Sequence, residues 1–394
     1  NFSNKNTKLL PKMEKLNSLL KPYDFVFSKP QFNHFSHIVQ SLAVCEKPSL
    51  LRFSELHDRN RSNLNRFLTE STWELSQVKG IYHKQINPFI EPNSFLLIDD
   101  TLSKRPYAKK VEKANYHYDH TINDYSFGYS VMTSVIKSKV NIIPYEIKCY
   151  FRKDDCSDIK FQSKNEIAAD YIKSTAEIRN ITTVIFDTWF SNDKVIGACK
   201  EAKKHYITQI KSNRNITISN KKRFAREHEK GIKKANWSET EYNEDKFRYF
   251  STSAFISKIG SVHLIFSQLY DKGEKKWGDT YYLISDILNV NSETILRNYL
   301  ARVGIESFHR EAKQNTGLEG YFLRKYRGIE KYLFLVMLTY SLLVLQSISM
   351  KTEKTIGEMC EENKVYLYEK VYQEIKIHPE KRWDKFRGLA KARV

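Results

Sequence analysis

Ser94-Phe-Leu-Leu-Ile-Asp-Asp-Thr101 decides the fold: four apolar residues in a row, closed by two adjacent acids. A short apolar run without polar alternation reads as a strand buried on both faces. Thr182-Thr-Val-Ile-Phe-Asp-Thr188 repeats the pattern and again ends in an acid. Between them, Phe127 to Ile136 and Ile142 to Tyr150 are β-branched and aromatic and predict strands, while Ser163 to Ile178 places Ile167, Ala168, Tyr171, Ile172 and Ala176 at helical spacing. A helix over Asp193 to Lys204 and a strand over Tyr206 to Ile210 follow. Three strands, helix, strand, helix, strand predict an α/β core with parallel neighbours. The carboxyl ends of such strands line a crevice, and an acid there is costly unless it caps a turn or has a partner, often a metal or a catalytic task. Asp100 and Asp187 are the candidate acids. Asp99 points to the opposite sheet face from Asp100, so only one of the pair serves, and alternation alone does not choose between them.

Downstream, residues 213–285 predict a partly β insertion: polar and charged at first, then a hairpin of Val262 to Leu269 and Thr280 to Ser285 around Asp271-Lys-Gly. Ser292 to Gln314 reads as one long helix, with Ser292 as its cap and Gly317 as its stop. Tyr299, Arg302, Glu306 and Lys313 stand on it at offsets of 0, 3, 7 and 14. At ~100° per residue they fall at about 0°, −60°, −20° and −40°, a single stripe. An acid among Arg, Tyr and Lys on one stripe can set a metal ligand among phosphate grips. An ordinary Arg–Glu pair four residues apart accounts for two of the four. Glu311, at about +120°, is expected in solvent. Tyr332 to Met350 is uncharged and near membrane-spanning length, but its Thr, Tyr, Ser and Gln residues favour a buried core helix.

Upstream of Pro92 the chain reads as helical. Leu64, Phe67 and Leu68 share a face with basic residues opposite, and Ser71 or Thr72 is the expected cap of a helix starting at Trp73. The predicted organisation is 1–90 helical and DNA-binding, 91–212 the first part of the core, 213–285 the β-rich insertion, 286–350 the second part of the core, and 351–394 a helical tail.

The 394 residues carry 65 Lys and Arg against 46 Asp and Glu, a net charge of +19. A surplus that large implies a polyanion as partner, nucleic acid first. The excess sits in three separated regions, 1–90, 211–235 and 321–394, which suits a track along a duplex. Hydrophobic residues at 41% exclude a disordered chain, and 13 glycines and 9 prolines exclude a collagen-like or linker architecture. Five scattered cysteines without Cys-x-x-Cys indicate neither a disulfide framework nor a zinc site and fit a reducing cytosol. The chain opens on Asn1, so the native start is expected upstream. His117-Tyr-Asp-His120 is read as a loop that contains histidines, since no further ligand stands at a metal spacing.

Tyr299-x-x-Arg302-x-x-x-Glu306-x(6)-Lys313 resembles the Tyr-Arg-Glu-Lys signature of bacterial insertion-sequence transposases of the IS-four group. Ile98-Asp-Asp-Thr101 looks like that family's first catalytic strand, in which the Asp before Thr is the ligand, and Phe186-Asp187-Thr188 looks like the second. The resemblance covers about residues 90 to 345. It implies a ribonuclease-H-like α/β catalytic core interrupted by a β-rich insertion, with helical N- and C-terminal regions. It also implies the triad Asp100, Asp187 and Glu306, holding two Mg²⁺ (or Mn²⁺) per active site.

Two metals about 4 Å apart activate an oxygen nucleophile and relieve charge on the leaving oxygen, and hard carboxylate ligands suit Mg²⁺. Arg302 and Lys313 are then expected to grip phosphates, and Tyr299 to lie beside the terminal nucleotide. Arg214, Lys221, Lys222, Arg223 and Arg226 are expected on backbone phosphate, and Trp277 and Tyr281 are candidates to stack on a base drawn from the duplex. The expected partners are double-stranded DNA, as transposon ends and target, and a second copy of the chain on paired ends, with no membrane. The expected setting is the bacterial cytosol. The rival readings are a non-catalytic DNA-binding protein derived from a transposase and a related nuclease without strand transfer.

Overall fold

The structure is a computed structural model that describes residues 11–377 other than 58, 109, 157, 158 and 289, together with residue 390. Five helices precede the first strand: α1 (Pro11–Leu20), α2 (Lys29–Leu42), α3 (Leu50–Leu56), α4 (Arg61–Thr69) and α5 (Leu75–Ile86). Leu64, Phe67 and Leu68 are buried on α4, as their spacing requires. The next helix starts later than expected. Trp73 is buried in the connection, its ring stacked on Phe67 and its indole N–H donating to the Phe67 carbonyl at 2.9 Å, and Glu74 occupies the cap position of α5. A tryptophan whose polar end finds a backbone partner is worth more packed than helical.

The strands follow as β1 (Ser94–Lys104), β2 (Asn115–Asp119), β3 (Asp124–Lys137) and β4 (Ile142–Tyr150). Next come α6 (Lys164–Ser174), β5 (Ile181–Phe186), α7 (Asp193–Glu201) and β6 (His205–Ile210). His117 lies on β2, not in a loop. β1 runs antiparallel to β3 and parallel to β5, with Ser94 opposite Ile181 and Ile98 opposite Phe186, and β5 runs parallel to β6. Flanked on both edges and covered on both faces, Leu96, Leu97 and Ile98 are fully buried, which is why that run lacks alternation.

Residues 213–285 add β7 (Asn215–Ile218), β8 (Lys221–Phe224), the short α8 (Ala225–Glu229), β9 (Ser238–Tyr242), β10 (Asp245–Ile256), β11 (Gly260–Asp271) and β12 (Lys276–Ser285). β11 and β12 form the expected hairpin, and β12 pairs antiparallel with β6. The twelve described strands therefore make one mixed sheet, ordered β2-β3-β1-β5-β6-β12-β11-β10-β7-β8, with β4 on β3 and β9 on β10.

After the sheet the described residues form α9 (Ser292–Leu300), α10 (Val303–Gln314), α11 (Tyr326–Ser349) and α12 (Ile356–Ile377). α11 is long and apolar enough to cross a membrane, yet its residues from Lys331 to Ser347 are all buried inside the fold, against α2, α4, α5 and β4. Tyr82 of α5 donates to the Pro144 carbonyl of β4 and lies 2.7 Å from Ser341 of α11, tying the helical region to the sheet. Phe334, fully buried on α11, meets the Tyr82 ring edge-on at 5.8 Å. Phe334→Ala is expected to cost about 3–5 kcal/mol, because transfer and cavity terms add; urea denaturation reads it as a lower midpoint at unchanged slope.

Candidate functional site

The acids gather where β5 ends beside the middle of β1, which does not close at its two acids but runs on, paired to β3, as far as Lys104. Asp187 directly follows β5, caps the 3₁₀ turn Thr188–Phe190 and accepts the Trp189 N–H at 2.9 Å. So Asp187 does act as a turn cap, the ordinary role for an Asp after a strand. Continuing the Ile98–Phe186 register sets it level with Asp99 on the neighbouring strand.

Asp99 and Asp100 face opposite sides of the sheet, and their partners show which helix lies on each. Asp100 Oδ2 accepts from Lys164 Nζ of α6 at 2.8 Å and from Ser130 Oγ of β3 at 3.0 Å. Asp99 Oδ2 accepts from Arg302 Nη1 at 2.8 Å, and the other arm of that guanidinium, Nη2, reaches Glu306 Oε1 at 2.7 Å. Arg302 thus bridges Asp99 and Glu306 with one planar fork.

Burial raises the Asp99 carboxyl to about 7, Arg302 opposing it and the Asp187 and Asp100 charges adding to it. Burial also raises Asp187, with Asp100 adding and Arg302 opposing. Three carboxylates gather beside the end of β5 with two cations among them, Arg302 on Asp99 and Lys164 on Asp100. Hard oxygen donors in excess of their counter-charge are the donor chemistry of a divalent cation site. Among the described residues, however, no three His, Cys, Asp or Glu side chains stand close enough to hold one ion. Glu306 instead lies on Arg302.

The long helix is two helices. α9 ends at Leu300 and α10 starts at Val303, and the joint is made of three-residue turns, Arg302 N–H to Tyr299 O at 3.0 Å and Gly304 N–H to Ala301 O at 2.9 Å. Gly304 lies just past the joint, in the first turn of α10. A Cβ there would meet the side-chain ends of Leu97, Ile142 and Lys137 at 3.3–3.4 Å, so the start of α10 packs closely onto the sheet. Asn291, not Ser292, caps α9, its side chain accepting the Glu293 N–H at 3.0 Å. α10 ends at Gln314 with Asn315 as its C-cap, ahead of the expected stop, and Gly317 turns the chain two residues later with φ +79° and Pro48 against it.

The four residues of the stripe are consequently not one face of one helix. Tyr299, on α9, reaches Gln209 Oε1 at 3.4 Å, and burial pushes its phenol up to about 12. Arg302 and Glu306 meet Asp99. Lys313 lies further along β1, donating to the Leu102 carbonyl at 2.9 Å with Glu319 at 3.3 Å. Glu311 is not in solvent: its Oε2 accepts the Tyr340 hydroxyl at 2.6 Å.

The other expected DNA contacts lie along the extended sheet. Lys221, Lys222 and Arg223 are exposed on β8, with Arg214 in the turn before β7 and Arg226 on α8. Arg214 and Lys222 line a groove that begins at Thr188 and Trp189, beside Asp187. Tyr281 is exposed on β12. Trp277 is engaged, with the Arg248 guanidinium 4.8 Å over its ring and Tyr270 edge-on at 5.1 Å.

Sequence reasoning passed over Lys164, whose contact with Asp100 crosses 64 positions of chain, and Trp189, whose place two residues beyond a strand-end acid was the available signal.

Residues 47–234 match the family model described as DDE superfamily endonuclease. The match takes in Asp99, Asp100 and Asp187 and stops short of Glu306. It supports a DDE transposase-like protein with nuclease or transposase activity on DNA, a superfamily that generally uses divalent metals. A search of curated proteins finds no match.

Proposed function

We propose that this chain is a DNA transposase of the IS-four kind, which binds transposon ends, cleaves them and joins the freed 3′-OH to target DNA. The observation that carries the reading is the Arg302 bridge. It draws Glu306, from beyond the matched residues, to Asp99 beside the end of β5, where Asp187 follows the strand and Asp100 is the next residue of β1. A strand order of β4-β3-β1-β5-β6, with β3 antiparallel and β1, β5 and β6 parallel, supports a ribonuclease-H-like core.

Asp100, Asp187 and Glu306 are the proposed ligands of Mg²⁺ or Mn²⁺, two per site. Metals so held supply an activated oxygen nucleophile and charge relief at the leaving oxygen. For Glu306 to serve, its carboxylate leaves Arg302. The guanidinium keeps its bond to Asp99 and turns its free arm to a phosphate, the fork geometry that suits a phosphodiester. Lys313 holds a second phosphate, and Tyr299 packs beside the terminal nucleotide. Two copies on paired ends complete the proposed assembly.

A second reading is favoured by one specific contact: Asp99, not Asp100, shares Arg302 with Glu306 and stands level with Asp187. In that reading Asp99 is the strand ligand, and Asp100 positions Lys164.

DNA affinity should fall steeply with salt, since each phosphate neutralised by Lys or Arg releases counterion; six such contacts give a log–log slope near about −5 on duplex. Filter binding between low and moderate salt measures it, and a flat response means that the +19 charge is no DNA track. Joined products on a gel separate a transposase from a nuclease that only cuts.

A further inference from the structure

The groove beside Asp187 has the composition of a single-strand track. It encloses about 900 Å³ between the 3₁₀ turn after β5, the β6–β7 turn, β8 and the β10–β11 turn. Four cations line it, Lys211, Arg214, Lys222 and Lys258, against one acid, Asp193, and among the described residues none of the four forms a salt bridge. Two aromatic side chains stand in the same groove with their surfaces open, Trp189 at 62% exposure and Phe255 at 52%. Lys164 joins the groove to the acids, its ammonium 2.8 Å from Asp100 Oδ2 and 5.9 Å from the centre of the Trp189 ring.

An exposed indole and phenyl among unpaired cations have a physical use. A duplex shows proteins its phosphates and base edges, but its base faces are stacked away. Only an unpaired strand offers base faces to aromatic rings while its phosphates meet the cations. We infer that this groove binds an unpaired DNA strand next to the reacting phosphate, with Trp189 and Phe255 as stacking platforms and Lys211, Arg214, Lys222 and Lys258 on the backbone. The direction of the strand rests on the proposed reading of the acids as a DNA-cleaving centre; the binding itself does not. Trp277, already covered by Arg248 and Tyr270, has no part in it.

The test measures binding without metal, so that cleavage plays no part. Fluorescence anisotropy of a labelled oligo-dT strand, and of the same length of duplex, is recorded in EDTA with the full chain. Trp189→Ala and Phe255→Ala should each weaken oligo-dT binding about 10-fold, a typical loss for one stacking ring, and Trp189→Phe should retain most of it. Duplex affinity should change less than twofold in all three. Lys222→Ala combined with Lys258→Ala should flatten the salt slope on oligo-dT by about one unit or more. Because both rings are exposed, truncation leaves no cavity, and unchanged thermal unfolding confirms the fold of each variant.

Two results overturn the inference: oligo-dT affinity unchanged in Trp189→Ala and Phe255→Ala, or equal losses on strand and duplex, which would make the groove a duplex site. A protein that cuts no DNA yet binds oligo-dT through Trp189 refutes the proposed activity and leaves the groove standing. One that cuts DNA with both rings removed at undiminished strand affinity does the reverse.

Discussion

Asp187→Asn, Glu306→Gln and Asp100→Asn are each expected to lower DNA cleavage about 10³-fold or more while end binding stays within a few-fold. Each swap removes one anionic oxygen, and the several kilocalories that a held metal contributes to the transition state go with it. The geometry indicates that the folds of the variants survive. An Asn at 187 still presents an oxygen to the Trp189 N–H, and one at 100 still accepts from Lys164 and Ser130. Glu306 is half exposed, so Glu306→Gln adds no buried polar cost. Asp99→Asn is the informative partner. If Asp100 is the strand ligand, Asp99→Asn keeps measurable cleavage, its loss confined to the positioning of Arg302. If Asp99 is the ligand, the order of the two variants reverses. Single-turnover cleavage on a gel decides between them.

Arg302→Ala and Lys313→Ala are expected to lower cleavage and joining about 10²-fold each, a size usual when positioning is lost and the chemistry is intact. They should differ in stability. Arg302→Ala leaves Asp99 and Glu306 without a counter-charge beside Asp187, and a partly buried charge stripped of its partner is destabilising. Lys313→Ala gives up a carbonyl contact and one partly exposed ion pair at 3.3 Å, a smaller loss. Arg302→Lys should not rescue, because an ammonium cannot bridge two carboxylates with a planar fork. A neutral substitution on the same helix is the control. Glu311 is unsuitable because it holds the Tyr340 hydroxyl, whereas Gln314 is exposed on the last turn of α10. Gln314→Ala should behave as wild type in both assays, and equal damage from all three variants would mean that α10 presents the wrong face.

The strands that carry the acids were legible because burial on both faces leaves an unmistakable pattern, an apolar run followed by Asp, though Asp marks the end of β5 alone and β1 continues to Lys104. The β11–β12 hairpin was legible for a local reason as well: Asp271 Oδ1 takes the Gly273 and Glu274 N–H groups at 2.8 and 2.9 Å and closes the turn. What failed depended on contacts between distant parts of the chain. The angular projection from Tyr299 to Lys313 assumed an unbroken helix, whereas the chain turns at Ala301–Arg302 and starts a second helix packed on Leu97 and Ile142, which sequence period cannot register. Alternation separated Asp99 from Asp100 but could not say which face α10 would cover. Nor could it reveal that β12 pairs with β6 and so continues the core sheet. Trp189 was passed over because the last residues of a strand draw attention and the turn after them does not.

Metal-dependent DNA cleavage is proposed to reside in this acid cluster. The most direct test is supercoiled plasmid incubated with the full chain in Mg²⁺ or Mn²⁺, in EDTA, and with Asp187→Asn in either metal. Nicked and linear product bearing 3′-OH ends is expected with wild type and metal, and none in the other lanes. Product of equal yield from Asp187→Asn, or from wild type in EDTA, would contradict the proposal.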